Sequence, residues 1–581
     1  MKPVLDPRRG DIEDDASSTK RRSLLSLAGS LLSEVSLLKL ALSFVLLLAL
    51  PALVLGLSPL LTSAWISKVS GKIVSPLTGL WPIVVLCMLL AVGWFTGGAL
   101  FRVVERSFWA LNSLVVEPCY AVGRETLQHL AEQVHPPKNS AQRRKLRAIA
   151  AILAGLVICG LAVLALLLAW PSSRWVGTIS DLAAAQRLAP AALANSVVLL
   201  ALYLAANALV WAIADATMSQ PRDFHDFQAG THQGRTWRVA HLSDLHVVGE
   251  RYGFRIESGR SGPSGNERLR RVLAQLDEIH RTNPLDVVLV SGDMTDAGRS
   301  GEWAELLDAL ALYPRLLERV LMLPGNHDLN VVDRANPARL DLPIGPSKRL
   351  RQMRALSVLA ALQGGRVRVV DRSGGHLGAT LTAVVEPYRA RIAEFADSGR
   401  LVLSPPLAEL WAEIFPMVVA PEPEDGLGII LLNSNAETHF SFTNALGLIS
   451  AEQIRGIEVV TAQYPRASWL IALHHHPVEY PLPAKALSER IGTALINGSW
   501  FARRLRPLAG RVVLMHGHRH IDWIGECAGL LIVSAPSPVM NATDDLASYF
   551  YIHTLATGAR GRLRLLTPQR VTSAGEVRAD E

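Results

Sequence analysis

The stretch "VVLMHGHRH", residues 512–520, places three histidines at alternate positions directly after an apolar run. Side chains of an extended segment alternate between two faces, so His516, His518 and His520 can all point the same way where the strand leaves the core. Neutral imidazole is the commonest metal ligand, and two rings in a His-x-His pair can reach one small site. The stretch therefore predicts a buried strand that ends either in a metal site or in an exposed polar loop.

Polar side chains also follow four other short apolar runs. In chain order the stretches are "HLSDLH" at 241–246, "SGDMTD" at 291–296, "PGNHD" at 324–328 and "ALHHHP" at 472–477. A single aspartate at a strand end is usually a turn residue or a helix cap. Five such ends in one chain are too many for that explanation, and they predict a shared site at the strand ends, where α/β proteins bind ligands.

The pattern after residue 236 alternates short apolar runs with amphipathic segments, which favours an α/β domain. Helices are predicted at 266–281, at 301–313 and from Ser450, where Ser450 and Gln453 form a capping-box start. Strands are predicted at 237–242, 286–290, 320–323, 428–432, 468–473, 511–515 and 530–534.

These five stretches resemble, in order, the five motifs of the calcineurin-like metallophosphoesterase superfamily. The motifs D-x-H, G-D, G-N-H-D, H-x-P and G-H-x-H correspond here to 244–246, 292–293, 325–328, 475–477 and 517–520. The resemblance covers the chain from about residue 236 to the C-terminal strands. It implies an α/β metallophosphoesterase domain, built as a two-sheet sandwich flanked by helices.

The resemblance also implies two divalent metal ions that share Asp293. Its motifs imply that the first ion is also held by Asp244, His246 and His520. They imply that the second ion is also held by Asn326, His475 and His518. Carboxylate, amide and imidazole donors without thiolate suit Mn, Fe, Co or Zn ions.

Three histidines precede Pro477, and the strand before them is apolar on both faces, so alternation cannot choose among them. The family spacing H-x-P chooses His475, and His474 and His476 are then expected to face away. His516 is expected to support the ligands or to lie at the surface.

The implied activity is that of a metal-dependent phosphoric ester hydrolase, either a phosphodiesterase or a phosphatase. Two ions about 4 Å apart can activate a bridging water for in-line displacement at phosphorus. His327 is implied to stabilise the transition state or to protonate the leaving oxygen, with a carboxylate such as Asp328 orienting its ring. The stretch "NALGLISAEQI", 444–454, further resembles class III cyclic-nucleotide phosphodiesterases. The expected substrate is a cyclic nucleotide or a lipid-linked phosphoester.

The first 215 residues hold the apolar excess of a chain that is 50% hydrophobic. Four stretches, 38–57, 80–101, 149–170 and 191–213, reach the length of about 20 residues that a membrane span needs and have uncharged centres. Lys and Arg concentrate before the first stretch and in 102–148, which places both termini and the α/β domain in the cytoplasm. These features predict an α-helical membrane region of four spans and a multi-pass protein of a bacterial inner membrane, in contact with the lipid bilayer.

Charge and cysteine content narrow the class of protein. The net charge is +7, from 58 basic and 51 acidic residues, and much of the excess adjoins the predicted spans, where it would meet anionic headgroups. Nucleic acid is therefore not an expected partner. The four cysteines include no C-x-x-C pair, so neither a disulfide framework nor a thiolate zinc site is indicated.

The predicted domains are a basic tail at 1–37, a membrane region at 38–218, a linker at 219–235, the metallophosphoesterase domain at 236–568 and a tail at 569–581. An insertion at about 330–425 is either a solvated helix face or a substrate-selecting cap, because it carries a basic run of Lys348, Arg349, Arg351, Arg354, Arg366 and Arg368.

Two alternative functions compete with a hydrolase. A non-catalytic binding scaffold on the same fold is disfavoured because no residue of the five motifs is missing. A transporter or receptor with a regulatory phosphoesterase domain is disfavoured because the centres of the predicted spans carry no Asp, Glu, Lys, Arg or His.

Overall fold

The computed structural model describes residues 3–9, 37–73, 116–137, 139–178, 185–227, 234–251, 266–333, 339–342, 345–481, 495–540, 548–558, 562–572 and 577–578. The chain divides into two compact units. One is the helical unit Leu37–Met218, and the other is an α/β unit made of Met1–Ser36 and Ser219–Glu581.

The described part of the helical unit contains five α-helices: α1 Leu37–Phe44, α2 Leu50–Ile73, α3 Glu117–Val134, α4 Ser140–Ala169 and α5 Ala185–Ala216, with a π-helical turn, Val45–Ala49, between α1 and α2. Two stretches, Ala141–Ser172 and Leu188–Ala216, are long and apolar enough to span a membrane. They match the third and fourth predicted spans.

The first two predicted spans are not matched by helices long enough to cross a membrane within the described residues. The span 38–57 is divided between α1, the π-helical turn and α2, and the apolar helical stretch found there, Leu50–Ala64, is shorter than a membrane span needs. The span 80–101 lies outside the described residues. Within the described residues, two helices are therefore long and apolar enough to cross a membrane, and a region of four spans is not supported.

Helices α4 and α5 pack through small residues. Gly155 of α4 approaches α5 so closely that an added Cβ would lie 2.4 Å from the Cβ of Ala212. Three buried alanines pack together at this contact, namely Ala162 on α4 and Ala201 and Ala205 on α5. The large aliphatic side chains of α4 are exposed instead, among them Leu156, Leu161, Leu164, Leu167 and Leu168.

The α/β unit contains two sheets. Its strands in the described residues are β1 Arg222–Asp223, β2 Thr236–Leu242, β3 Val287–Val290, β4 Val320–Met322, β5 Arg368–Asp371, β6 His376–Thr380, β7 Met417–Val419, β8 Leu427–Leu431, β9 Ser468–Ala472, β10 Val512–His516, β11 Trp523–Cys527, β12 Leu530–Ser534, β13 Tyr549–Thr557, β14 Leu563–Leu565, β15 Gln569–Thr572 and β16 Val577–Arg578. One sheet has the order β1-β11-β12-β10-β9-β8-β7-β5-β6, and the other has the order β16-β15-β13-β2-β3-β4 with β14 paired to β13.

Ten α-helices of the described residues accompany these strands: α6 Glu267–Thr282, α7 Ser300–Ala311, α8 Pro314–Leu317, α9 Asn326–Leu329, α10 Ser347–Gln363, α11 Leu381–Val385, α12 Arg389–Ser398, α13 Ser404–Glu413, α14 Ala451–Gln463 and α15 Gly498–Leu505. The α/β architecture of two sheets with helices confirms the fold class predicted for this part of the chain.

The centre of each sheet is parallel. Strands β2, β3 and β4 run parallel in one sheet, as do β8, β9, β10 and β12 in the other. Every residue of β3, β9 and β10 is buried, since these strands are covered on both faces. Parallel strands bring their carboxyl ends to the same edge of a sheet, which is where the polar motifs follow them.

Sequence patterns predicted the elements that carry the motifs well. Each of the seven predicted strands is present with ends displaced by at most one residue, and Ser450 caps α14 by accepting from the amide of Gln453. Short continuous apolar runs are typical of strands buried on both faces, and here they distinguish strand from helix correctly.

The described part of the segment 330–425 is built into the α/β unit. Its strands β5, β6 and β7 extend the nine-stranded sheet, and Leu350, Met353 and Leu356 of α10 belong to the same hydrophobic core as β3. Arg351 and Arg354 are only 3% and 4% exposed, so the expectation of a solvated helix face is wrong for these two residues.

Segments expected to be linker or tail also take part in the α/β unit. β1, within the predicted linker, pairs with β11, and β15, within the predicted C-terminal tail, pairs with β13. Near the N-terminus, Val4 and Leu5 pack against the hydrophobic core, and Arg8 forms an ion pair with Asp308 of α7.

Candidate metal centre

Five strand ends bring the predicted ligands together. Donor atoms fall into three groups, each within 4.8 Å: Asp244, His246 and His520; His246, Asp293 and His327; and Asp293, His474 and His518. Asp293 belongs to two of these groups and so lies between the other ligands, as expected of a carboxylate shared by two ions.

The first half of the centre joins the loops after β2 and β10. Asp244 Oδ1 lies 3.3 Å from His520 Nε2, and His246 Nε2 lies 3.9 Å from Asp293 Oδ2. The other ring nitrogen of His246, Nδ1, lies 3.4 Å from Asp296 Oδ1. Asp296 thus fixes the orientation of the imidazole that Asp293 faces, which is how metal-ligating histidines are usually held.

The second half of the centre contains His474. Its Nε2 lies 3.3 Å from Asp293 Oδ2, 3.1 Å from Asn326 Oδ1 and 3.2 Å from His518 Nδ1. Its Nδ1 donates to the carbonyl oxygen of Ser291 at 2.9 Å, so Nε2 is the ring atom that is left for the centre. His474 therefore directs Nε2 toward the other donor atoms of this group.

His475, which the sequence selected as a ligand, has a different environment. The Ser434 hydroxyl accepts from the backbone amides of His474 and His475, and it lies 2.9 Å from His475 Nδ1. Because that oxygen already accepts twice, it donates its own hydrogen to Nδ1, and the proton of the neutral ring is on Nε2. The structure thus places His474 rather than His475 beside Asp293.

One sequence signal could have identified His474. Asp244, His474 and His518 each follow the last residue of their strand by two positions, since the strands end at Leu242, Ala472 and His516. His475 does not share this offset. The remaining histidines of these stretches, His476 and His516, are buried, which excludes the surface position allowed for His516.

The donor set fits divalent metal ions. Ligands bound about 2.1 Å from one ion lie about 3.0–3.4 Å from one another in tetrahedral or octahedral geometry. The three separations from His474 Nε2 to its neighbours are 3.1–3.3 Å, and its partners are oxygen and nitrogen donors only.

Backbone strain concentrates at the same residues. Six non-glycine residues of the described part of the chain have positive φ, and five of them belong to the centre: Asp244, His246, Asp293, His518 and His520, with φ between 42° and 79°. Such conformations cost of order 1–3 kcal/mol each and persist where surrounding structure imposes them. The strain therefore points to a functional requirement for these side-chain directions.

Two motif glycines are required by close packing. Gly292 has φ +106°, and an added Cβ would lie 2.3 Å from His474 Nδ1. At Gly325 an added Cβ would lie 2.1 Å from Asp293 Oδ1. Any side chain at either position would displace a donor residue.

The charges of the centre favour cations. Burial opposes ionisation of Asp293, but His474 and His327 outweigh it and hold the pKa of this carboxyl well below its usual range. Burial likewise opposes ionisation of Asp244, and His520 lowers its pKa to about 2. Burial lowers the pKa of His246 to about 4, which keeps that ring neutral. Burial opposes protonation of His474, but the Asp293 carboxylate outweighs it and raises the pKa of that ring to about 9, so a cation bound there would replace a proton.

His327 is positioned by backbone groups. Its amide donates to Asp293 Oδ1 at 2.8 Å, and its ring Nδ1 donates to the carbonyl oxygen of Asp296 at 2.7 Å. Since Nδ1 carries that hydrogen, Nε2 is the ring atom that can exchange a proton with a substrate. The sequence missed this role of Asp296, because a backbone acceptor leaves no signature in residue type.

The Asp328 carboxylate, predicted from the resemblance to orient the ring of His327, bonds to loop donors. Its Oδ1 accepts from the amide and hydroxyl of Thr295 at 2.9 and 2.7 Å, and its Oδ2 accepts from the amide of Gly325 at 2.8 Å. Burial, and then the Asp293 carboxylate, raise its pKa to about 7. Asp328 therefore ties the loop after β3 to the loop after β4.

Comparison with known proteins agrees with this geometry. Residues 238–522 match the family model of the calcineurin-like phosphoesterases. The chain is also similar to a dimetal phosphatase from Danio rerio, at 13% identity and a TM-score of 0.32, over 58% of this chain and 99% of that chain.

Two further solved structures show a similar likeness. A putative 5'-nucleotidase from Staphylococcus aureus has 11% identity and a TM-score of 0.28, over 58% of this chain and 54% of that chain. A purple acid phosphatase from Lupinus luteus has 12% identity and a TM-score of 0.28, over 60% of this chain and 53% of that chain. No curated protein matches the chain. Because all three TM-scores are below 0.5, the assignment rests on the family match and on the residues of the centre. Residues 238–522 thus form a calcineurin-like phosphoesterase domain, and the protein is a metal-dependent phosphoester hydrolase that uses two divalent ions.

Proposed function

We propose that the protein is a membrane-anchored phosphodiesterase with a dinuclear metal centre. The observation that carries the proposal is the position of Asp293 between two groups of donors. In the proposed ligand set one ion is held by Asp244, His246, Asp293 and His520, and the other by Asp293, Asn326, His474 and His518. His474 replaces His475 in this set because its Nε2 is the atom that faces the other donors.

Two ions bound at this centre would supply an activated water and neutralise charge on the phosphoryl oxygens. The chain supplies orientation: the Ser291 carbonyl holds the ring of His474, and the Asp296 carboxylate holds the ring of His246. Fixing the ring directions in advance lowers the reorganisation needed during the reaction.

His327 is proposed to protonate the leaving oxygen through Nε2. Its Nδ1 donates to the carbonyl oxygen of Asp296, and its backbone amide donates to Asp293 Oδ1, so the ring is held with Nε2 as the atom left to face a substrate. General acids of this kind contribute about 10²–10⁴ in rate, and most where the leaving group is a poor one.

Preference for a phosphodiester is supported by where the stretch 444–454 lies. The carbonyl oxygen of Asn444 accepts from Asn330 Nδ2 at 2.6 Å, next to the loop that carries His327. Gly447 lies so close to His475 that an added Cβ would be 2.5 Å from its ring. The stretch that resembles class III phosphodiesterases is therefore adjacent to the proposed centre.

The test is hydrolysis by the purified full-length protein loaded with Mn²⁺. We expect a higher kcat/KM for bis(p-nitrophenyl) phosphate than for p-nitrophenyl phosphate, with activity lost on chelation and restored by metal. Cyclic nucleotides and phospholipids then separate the two expected substrate classes. A preference for the monoester would make the protein a phosphatase. If the protein loaded with Mn, Fe, Co or Zn hydrolyses neither ester, a non-catalytic binding scaffold is favoured.

Membrane anchoring is supported by the packing of the helical unit. In the most apolar stretches of α4 and α5, only 28% and 33% of the residues are buried, and large aliphatic side chains face outward. A core helix of a soluble protein would bury these side chains, whereas helices that associate in lipid pack through small residues. We propose that α4 and α5 lie in the bilayer.

Both termini are proposed to lie on one side of the membrane. Val4 and Leu5 pack against the hydrophobic core of the α/β unit, so the chain between them and residue 219 must cross the bilayer an even number of times. The basic residues before the first apolar stretch then indicate the cytoplasmic side.

A reporter that is active only outside the cytoplasm tests this topology. Fused after Glu581 it should be silent, and inserted between residues 72 and 76 it should be active. Activity of the C-terminal fusion would contradict the proposed orientation of the α/β unit.

A further inference from the structure

Helix α10 carries two buried arginines that lie three residues apart, Arg351 and Arg354, which are 3% and 4% exposed. A buried guanidinium is costly unless its donors are satisfied, so the acceptors that it meets are informative. Both residues come from the segment 330–425, which carries no motif of the metal centre.

Each arginine holds one loop of the centre. Arg354 Nη1 donates to the carbonyl oxygen of Gly298 at 3.0 Å, and Arg351 Nε donates to the carbonyl oxygen of Leu329 at 2.9 Å. Arg351 is fixed in turn by an ion pair with Asp341. Gly298 belongs to the loop after β3, and Leu329 follows β4.

These acceptors follow the two members of the pair that orients the proposed general acid, each at the same distance along the sequence. Gly298 is two residues after Asp296, and Leu329 is two residues after His327. The hydrogen bond from His327 Nδ1 to the Asp296 carbonyl joins the two loops at this point. The separation of the two loops therefore sets whether that bond forms.

We propose that Arg351 and Arg354 are positioning residues for His327, which makes helix α10 part of the catalytic apparatus. The inference rests on the proposed role of His327 as the general acid. In that step a hydroxide oxygen derived from water forms a bond to phosphorus, the bond from phosphorus to the leaving oxygen breaks with its electron pair staying on the leaving oxygen, and the proton on His327 Nε2 moves to that oxygen. The arginines act by keeping Nδ1 bonded to Asp296, so that Nε2 points toward the leaving group.

The experiment measures leaving-group dependence in the Mn²⁺-loaded full-length protein. The Arg354→Met variant is compared with wild type on aryl phosphodiesters whose phenols have pKa values from about 7 to about 10, the latter being that of an ordinary phenol. A good leaving group needs no proton, whereas a poor one does. We expect kcat to fall about tenfold for the poorest leaving group and to stay unchanged for the best, with unaltered KM and metal content.

A second pair of variants links the effect to the acid. The His327→Ala variant should show the same dependence on the leaving group, and the double variant should lose little more than His327→Ala alone, because both changes remove one function. Arg354→Lys keeps a donor at the same position and should restore part of the rate for poor leaving groups. If Arg354→Met does not fold, Arg351→Met is measured in its place, with the same expectation.

Arg366→Met is the matched control. Arg366 also comes from the segment 330–425 and donates to backbone carbonyls, but its acceptors include Val320 and Leu362, away from the His327 loop. It should keep wild-type kcat across the series. An equal loss for every leaving group, or a loss of bound metal, in Arg354→Met would overturn the inference. A wild type that hydrolyses none of the esters would overturn the proposed function with it.

Discussion

His474→Ala should damage the second metal site far more than His475→Ala does. His474 Nε2 lies within 3.3 Å of donor atoms on Asp293, Asn326 and His518. His475 contacts the Ser434 hydroxyl instead. The two substitutions remove the same ring from neighbouring buried positions, so each is the control for the other.

His474→Ala is expected to lower metal affinity, whereas His475→Ala is expected to lower the free energy of unfolding. Removing a group that only orients a ligand costs about 10–100-fold in metal affinity, so removing one of the four donors of an ion should cost at least about 100-fold, or about 2.7 kcal/mol. His475→Ala removes a hydrogen bond and leaves a small cavity, which lowers the free energy of unfolding by about 1–3 kcal/mol without removing a donor.

The assay combines metal analysis with kinetics. Metal content after dialysis is measured by inductively coupled plasma mass spectrometry, and kcat is followed during Mn²⁺ titration of the stripped protein. We expect His474→Ala to retain one ion at most and to need at least about 100-fold more Mn²⁺, by the same reasoning. If His475→Ala loses the ion while His474→Ala keeps it, the ligand assignment is refuted and the H-x-P spacing was the better guide.

Three further predictions follow from the structure. Asp293→Ala should abolish hydrolysis and lower the content of both ions, because its carboxylate belongs to two donor groups; near-normal turnover would contradict a shared ligand. Asp328→Asn should lower the thermal midpoint through a loss of about 1–3 kcal/mol, since the carboxylate accepts from donors of the two loops that it ties together. His553 is buried, and burial lowers its pKa to about 3, below the value of 6.5 for the unfolded chain. As pH falls from about 6.5 toward 3, the unfolded chain binds a proton at His553 that the folded chain does not, so the free energy of unfolding decreases. Between pH 8 and pH 5 the free energy of unfolding of wild type should fall by about 2 kcal/mol more than that of His553→Phe, measured by thermal unfolding at both pH values.

The strands that carry the centre could be predicted from sequence because of their burial. β3, β9 and β10 are covered on both faces, so they read as short continuous apolar runs, and their ends are marked by the polar motifs. The resemblance of the five motifs predicted six site residues that the structure also places at the strand ends, namely Asp244, His246, Asp293, Asn326, His518 and His520. The structure brings all six together.

The choice among His474, His475 and His476 needed the tertiary structure. A strand that is apolar on both faces shows no alternation of polar and apolar residues. The sequence therefore does not indicate which of the three histidine rings after the strand points toward the centre. The register with β10 decides it, because the amide of Gly517 donates to the His474 carbonyl and sets that loop against His518.

The sequence by itself determined which strands exist and which chemistry follows them, because both depend on local patterns of residue type. Only the tertiary structure decided how the centre is held in place. The acceptors of Arg351 and Arg354 are 22 and 56 residues away along the chain, and the acceptor for His327 is a backbone carbonyl 31 residues away. Arginine in a basic run is ordinarily a solvated residue, and a carbonyl has no sequence signature. Their roles arise from folding, which buries distant groups together and requires each buried polar atom to find a partner.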